Sequence, residues 1–350
     1  VAIVPRFALK VTAGMSESVR PVYSFVLPIF NEEAVMPVLL HRLDRLMEKL
    51  DAPAEVIFID DGSTDTCSIV AAHRAKDDSR YRYVAFSRNF GQQMAITAGF
   101  DRARGDCVIV MDADLQDPPE VALDMIAKWK GGYDIVYARR LSREGETWLK
   151  LLTSHLYYKV MSKLTAVRIP EKVSDFRLVD RKVVDAFKAM PERDRYVRGM
   201  FSWLGFRQTA VEFHREARAA GTTKYNYRRL ARLAMDSLIG FSDVPLKLAL
   251  WLGAIVSLCA VGFGVFVIGL AIMHPNAVPG WSSLAVLISF FAGANLFTTG
   301  IIGLYVGRIH NEAKQRPLYV VRQEIGFDRN AGAVERPTLY KRRRGERSAS

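Results

Sequence analysis

Apolar residues fall in short runs separated by polar turns through the first two-thirds of the chain, and then in two long unbroken runs. Val22 to Ile29 (VYSFVLPI) predicts a first strand, ended by Pro28, with Asn31-Glu32-Glu33 opening an amphipathic helix through Leu50. Glu55 to Ile59 predicts a second strand that stops at Asp60-Asp61-Gly62-Ser63-Thr64-Asp65. Tyr83 to Phe86 is a third, followed by Ser87-Arg88-Asn89-Phe90-Gly91-Gln92-Gln93 and a helix to about Arg104. Asp106 to Met111 reads as the central strand and Asp134 to Ala138 as a further one. Strand, polar turn, helix and strand again is βαβ winding on a parallel sheet, so the fold class is α/β. Such sheets bind ligands at the carboxyl ends of their strands, which puts residues 28–32, 60–63 and 112–116 on one rim. Ser174 to Asp180 and Gln208 to Phe213 are expected as short strands beyond the main winding.

The two long runs are Leu248 to Met273 and Trp281 to Gly307, 26 and 27 residues without a charge. At about 1.5 Å rise per residue each can cross a hydrocarbon core of roughly 30 Å. The link 274–280 has no Lys or Arg, whereas Lys247, Arg308, Lys314 and Arg316 bracket the pair, so the large domain and the tail are expected in the cytoplasm. Gly303 and Gly307 form a Gly-x-x-x-Gly pair able to pack the helices together, and Asn295 is expected to hydrogen-bond between them. Two basic amphipathic helices are expected beside these spans. One runs from Trp148 to Leu164 and either lies on a membrane surface or faces an ordinary core, and the other runs between Tyr225 and Ile239. Leu318 to Ile325 has strand character and can pair with a sheet edge of its own chain or of a neighbour. The expected organisation is a disordered or vector-derived extension at 1–20, a catalytic domain at 21–215 and a basic juxtamembrane region at 216–244. A transmembrane hairpin at 245–307 (248–273 and 281–307) and a cytoplasmic tail at 308–350 complete it.

Charge and cysteine content narrow the classes. The formal charge is +12, and six of its bases (Arg215, Arg218, Lys224, Arg228, Arg229 and Arg232) precede the first long apolar run. Basic segments in that position match anionic lipid rather than nucleic acid. Cys67, Cys107 and Cys259 have no metal-like spacing, which fits a reducing compartment. No Gly-x-Gly-x-x-Gly follows the first strand and no Walker-type loop is present, against a nicotinamide enzyme or a P-loop NTPase. Histidines are few and scattered, against zinc.

The richest chemistry lies where the central strand runs out, in Val108-Ile109-Val110-Met111-Asp112-Ala113-Asp114-Leu115-Gln116-Asp117. On an extended chain, residues i and i+2 share a face, so Asp112, Asp114 and Gln116 are expected to share one Mg²⁺ or Mn²⁺ whose open positions accept a diphosphate. Asp60 and Asp61 stand on the same rim, where a carboxylate can accept from a base N–H or a ribose hydroxyl; a turn and helix cap is the alternative meaning of Asp61-Gly62-Ser63.

The motifs PIFNEE, IDDGSTD, SRNFGQQMAITAGF, MDADLQDPPE, YARR and SDFRLVDR, in this order and followed by a two-helix hairpin, resemble those of the polyprenyl-phosphate glycosyltransferases over about Val22 to Gly326. The resemblance implies a GT-A fold and metal-dependent, inverting transfer of one sugar from a nucleotide diphosphate to a membrane polyprenyl phosphate. It implies Asp112, Asp114 and Gln116 as the metal site, and Pro28, Glu32, Asp60 and Asp61 as nucleotide-binding residues. It implies Asp175 and Arg177 near the reacting sugar, and Arg140, Lys150 and Ser154 at the acceptor phosphate. Lys150 stands where the family often has Arg, keeping the charge but not the fork. The resemblance is strongest to the bacterial glucosyl branch. It therefore implies UDP-glucose and undecaprenyl phosphate, a multi-pass protein of the bacterial inner membrane and a homo-oligomer, a tetramer by family. An acceptor phosphate monoester with a second pKa near ~6 is already a dianionic nucleophile, so the reaction needs cations more than a general base. Orienting the sugar or Arg177 is then the first role for Asp175. A processive polysaccharide synthase of the same fold is disfavoured because Gln-x-x-Arg-Trp is missing, and a non-catalytic scaffold because the acidic motif is intact.

Overall fold

A computed structural model describes residues 20–140, 173–193, 195–213, 244–273 and 280–327. The strands are β1 (Tyr23–Ile29), β2 (Ala54–Asp60), β3 (Tyr81–Phe86), β4 (Cys107–Val110), β5 (Ile135–Arg140), β6 (Val173–Asp180), β7 (Gln208–Phe213) and β8 (Val321–Ile325). They form one sheet in the order β7-β5-β6-β4-β1-β2-β3-β8. The helices are α1 (Met36–Glu48), α2 (Cys67–Asp77), α3 (Gln92–Arg102), α4 (Val121–Lys130), α5 (Arg181–Ala189), α6 (Val197–Leu204), α7 (Val244–Met273) and α8 (Trp281–Ala313).

Strands β1 to β4 pair in parallel, as the winding predicts, with Tyr23 level with Ala54 on one side and Cys107 on the other. Their near-continuous apolar sequences follow from burial on both faces. Phe25, Leu27, Val56 and Ile109 face one core with α1, α2 and α4, and Val26, Ile57, Ile59 and Val110 face the other with α3, α5 and α6.

Two expectations about order along the chain are corrected. The strand at Ser174 to Asp180 does not lie beyond the winding: β6 is inserted between β4 and β5, antiparallel to both. Phe176, Leu178 and Val179 are fully buried on its two faces, and the charges that interrupt its apolar pattern, Asp175 and Arg177, neutralise each other there. The helix expected from Asn31 begins only at Met36, with proline in its first turn. Asn31, at a left-handed φ of 56°, accepts instead from the Thr64 amide at 2.8 Å, and the Glu33 amide donates to Asp65 at 3.0 Å. The polar residues after β1 therefore tie two rim loops together rather than start a helix.

Helices α7 and α8 span 30 and 33 residues, pack against each other and are long and apolar enough to cross a membrane. Leu250, Leu258, Met273 and Leu296 are all more than 70% exposed, a display of apolar surface that water does not tolerate over such an area. Among the described residues, no atom beyond its own stretch of helix lies within 4 Å of where a Cβ would stand on Gly303 or Gly307, so that pair makes no close contact there between the helices. Among the described residues, Asn295 accepts from Thr299 one turn along its own helix, at 3.3 Å, and not from α7. The tail strand β8 joins the edge of its own chain's sheet, antiparallel to β3.

Helix α3 sits so close to β1 that a Cβ on Gly99 would stand 2.0 Å from the Val26 Cγ1 atom. Gly99→Ala is expected to destabilise the protein by about 1–3 kcal/mol through overpacking, read as a lower thermal midpoint. An unchanged midpoint would mean that α3 is not seated on β1 in this way.

Candidate active site

The loops that follow β1, β2, β3 and β4 share one rim, and antiparallel β6 brings its amino-terminal half to the same rim. The register that sets Arg177 level with Val110 places Asp175 beside the residues that follow β4. Residues distant in sequence thus meet at the end of one strand.

After Val110 the chain does not stay extended. It turns at 113–114, with Leu115 at a left-handed φ of 56° and the Asp114 Oδ1 atom accepting from the Gln116 amide at 3.1 Å. The premise that Asp112, Asp114 and Gln116 alternate along one face is corrected: a turn, not strand pleating, carries them. Asp112 accepts from the Gln92 side-chain amide at 2.7 Å. Its carboxyl is pushed up to about 7, first by burial and then by the charges of Asp175, Asp117 and Asp114. Gln116 is buried, and its Oε1 atom has no hydrogen-bond partner. Among the described residues no group of three or more His, Cys, Asp or Glu is arranged to hold a metal alone. Crowded carboxylates beside an unsatisfied amide oxygen are nonetheless a donor set that fits a hard divalent cation whose remaining positions are filled by ligand oxygens.

Asp175 is buried, and its carboxylate accepts a fork from Arg198, at 2.6 Å from Nε and 3.0 Å from Nη2. Arg177 approaches it to 3.5 Å and lies over the Phe201 ring at 5.2 Å. Burial lowers the Arg177 guanidinium to about 10, partly opposed by Asp175. Both oxygens of Asp175 are thus engaged by one guanidinium, which suits an orienting group better than a proton acceptor.

The two acidic residues after β2 differ from each other. Asp60 is fully enclosed, with Oδ1 accepting from the Ser63 amide at 2.8 Å and Oδ2 from the Tyr83 hydroxyl at 2.7 Å. Asp60 thus braces the loop after β2 against β3 from a buried position. Asp61 accepts from the Phe90 and Gly91 amides at 2.6 and 2.9 Å, and burial raises its carboxyl against the pull of those two bonds. Just after them Gly62, at φ 78°, passes so near Arg88 that a Cβ would lie 2.7 Å from that residue's carbonyl carbon. Pro28 and Glu32 are half-buried at the end of β1 and in the turn beyond it. Arg140 ends β5, while Lys150 and Ser154 lie outside the described residues, as do both basic amphipathic segments.

Sequence reasoning missed Gln92 and Arg198. Gln92 stands in a motif already singled out, at the first position of α3, and that position was its signal. Arg198 had none, because it is a lone cation in the short apolar helix α6.

A sheet of order β3-β2-β1-β4-β6-β5, with β6 reversed and a carboxylate cluster at the end of β4, defines a GT-A glycosyltransferase. The chain belongs to glycosyl transferase family 2, whose family model matches residues 24–187. It is 44% identical over 306 residues to the uncharacterized glycosyltransferase YkcC of Bacillus subtilis, covering 87% of this chain and 95% of that one. It is 38% identical over 301 residues to the bactoprenol glucosyl transferase of Shigella phage SfV, covering 86% and 98%. Among solved structures it resembles glucosyl-3-phosphoglycerate synthase from Mycobacterium tuberculosis in complex with Mn²⁺, UDP-glucose and phosphoglyceric acid. That likeness has 19% identity, a TM-score of 0.42, and coverage of 63% of this chain and 78% of that one.

Tyr83→Phe, which strips a bond from buried Asp60, is expected to cost about 1–3 kcal/mol of stability while leaving donor affinity unchanged. Denaturant melts beside nucleotide titrations check both halves, and a selective loss of donor affinity would mean that Asp60 acts on the nucleotide rather than on the fold.

Proposed function

We propose that this glycosyltransferase moves glucose from UDP-glucose to undecaprenyl phosphate with inversion, at the cytoplasmic face of the bacterial inner membrane. The observation that carries the reading is the cluster of Asp112, Asp114, Asp117 and Asp175 at the end of β4, costly by itself and suited to a cation that also holds a diphosphate. The acceptor and the sugar are supported by the relatives named bactoprenol glucosyl transferases, and the membrane by the exposed apolar helices α7 and α8.

In this reading Asp112, Asp114 and Gln116 hold Mg²⁺ or Mn²⁺. Such an ion, when bound, neutralises the charge that builds on the departing diphosphate. Pro28, Glu32 and Asp61 line the nucleotide pocket, Asp61 also closing the loop after β3. Asp175, clamped by Arg198 and Arg177, orients the sugar. Arg140, Lys150 and Ser154 hold the acceptor phosphate, which needs no base because it is already dianionic. One in-line displacement by that oxygen inverts the anomeric carbon. The hairpin keeps this chemistry at the lipid surface, where the polyprenyl head emerges, raising its effective concentration. The catalytic domain (21–215) and the tail lie on the cytoplasmic side, and the chain assembles as a homo-oligomer, a tetramer.

The test is radiolabelled UDP-glucose with Mn²⁺ and undecaprenyl phosphate, followed by lipid extraction. Label in the lipid phase is expected, falling below about one hundredth of the wild-type rate in Asp114→Ala with membrane insertion intact. Polymeric label would indicate a processive synthase, and no label a scaffold. Full turnover in Asp114→Ala would remove the metal assignment.

A further inference from the structure

From the hairpin of α7 and α8 the chain leads back to the catalytic domain through the end of α8. Beyond that helix it returns to the sheet, and its contacts fall on the two pieces that support the site. Glu312, in the last turn of α8, accepts from the Arg193 amide through both carboxylate oxygens, at 2.9 and 3.2 Å. The Arg193 side chain bonds back to the Arg316 carbonyl. This fixes the loop that leads into α6, which carries Arg198 and hence Asp175.

Further on, the Tyr319 ring stacks on Phe86 with centroids 5.0 Å apart, and its hydroxyl donates to Asp101 at 2.6 Å. The Ser87 amide donates to the Val320 carbonyl at 2.9 Å, and Glu324 accepts from Arg102 through Nε and Nη2 at 2.9 and 2.6 Å. These contacts grip both ends of the segment that runs from β3 through α3. Within it, Phe86 meets Phe90 edge-on, the Phe90 and Gly91 amides bond Asp61, and Gln92 bonds Asp112. Gln93 closes the circuit by accepting from the Val197 amide at the start of α6, at 3.0 Å.

We infer that the exit of the second long helix, Glu312 to Glu324, is a positioning element of the active site, with Glu312, Tyr319 and Glu324 as its positioning residues. The inference rests on the proposed function for what the site binds. Asp112 and Asp175 repel each other, and their carboxylates are held by Gln92 at the start of α3 and by Arg198 on α6. The strap holds both from one side, and it holds them to the end of a helix suited to the membrane. The rim is thereby set relative to the lipid surface by the same contacts that set its two carboxylates.

The test compares full-length Glu324→Arg, Arg102→Glu and the double exchange in lipid nanodiscs, with Tyr319→Phe as a milder variant that keeps the ring stack. Two readouts are taken: hydrogen exchange at the Phe90 and Gly91 amides, and the donor KM and kcat of lipid-linked glucose formation. Each single change is expected to speed that exchange and to raise the donor KM roughly fivefold with a smaller change in kcat, at the low end of coupling between linked sites. The double exchange is expected to restore both. If donor KM stays at the wild-type value in Glu324→Arg and in Tyr319→Phe, the inference is overturned, whether or not exchange quickens. If the wild-type protein forms no lipid-linked glucose, the proposed function falls, and unchanged exchange at Phe90 and Gly91 would overturn the strap independently.

Discussion

Like charges held together at the end of β4 are the constraint around which the site is built. Asp112, Asp114, Asp117 and Asp175 come from a turn and from a reversed strand, and their mutual repulsion with burial lifts Asp112 to about 7. Nothing in folding alone favours this, since a carboxylate raised in the native state costs stability once it ionises. The protein offsets part of the cost with hydrogen-bond and ion-pair partners. Arg198 and Arg177 take Asp175, and the Gln92 amide takes Asp112. What remains is a concentration of negative charge with an unsatisfied amide oxygen at Gln116, a donor set suited to a hard cation.

That arrangement depends on topology more than on local sequence. A parallel winding alone would leave the end of β4 facing its own loop. Inserting β6 in the opposite direction turns the start of a strand toward the end of another, and Asp175 arrives beside Asp112 with a register fixed by the ladder. The same logic applies on the other flank, where the returning tail adds β8 to the open edge of β3 and removes an edge that would otherwise be free to pair.

The parallel strands were legible because strands buried on two faces are continuous apolar runs, and the long helices because no charged residue interrupts 248–273 or 281–307. The placement of β6 was not legible. Asp175 and Arg177 break its hydropathy, and only their pairing with each other and with Arg198 from α6 lets such a strand occupy the middle of a sheet. The carboxylates at 112 and 114 were legible as residue types, but the turn carrying them was not, because Leu115 adopts a left-handed conformation that its side chain does not advertise. Asp60 and Asp61 look equivalent in sequence. The Tyr83 hydroxyl, brought by a neighbouring strand, makes the first a buried brace and leaves the second at the rim. Arg198 is the clearest case of a partner that only tertiary structure supplies.

The most direct measurement is the thermal midpoint of the purified protein against pH, with and without Mn²⁺ in the presence of UDP. Asp112 has a folded pKa above its ordinary value of 3.8, so without cation its contribution is present at low pH and is lost as pH rises through about 7. The midpoint is expected to decline across that window without Mn²⁺, and to rise with Mn²⁺ concentration at pH 8 as for binding to the native state. A midpoint at pH 8 indifferent to Mn²⁺ with UDP present would contradict it.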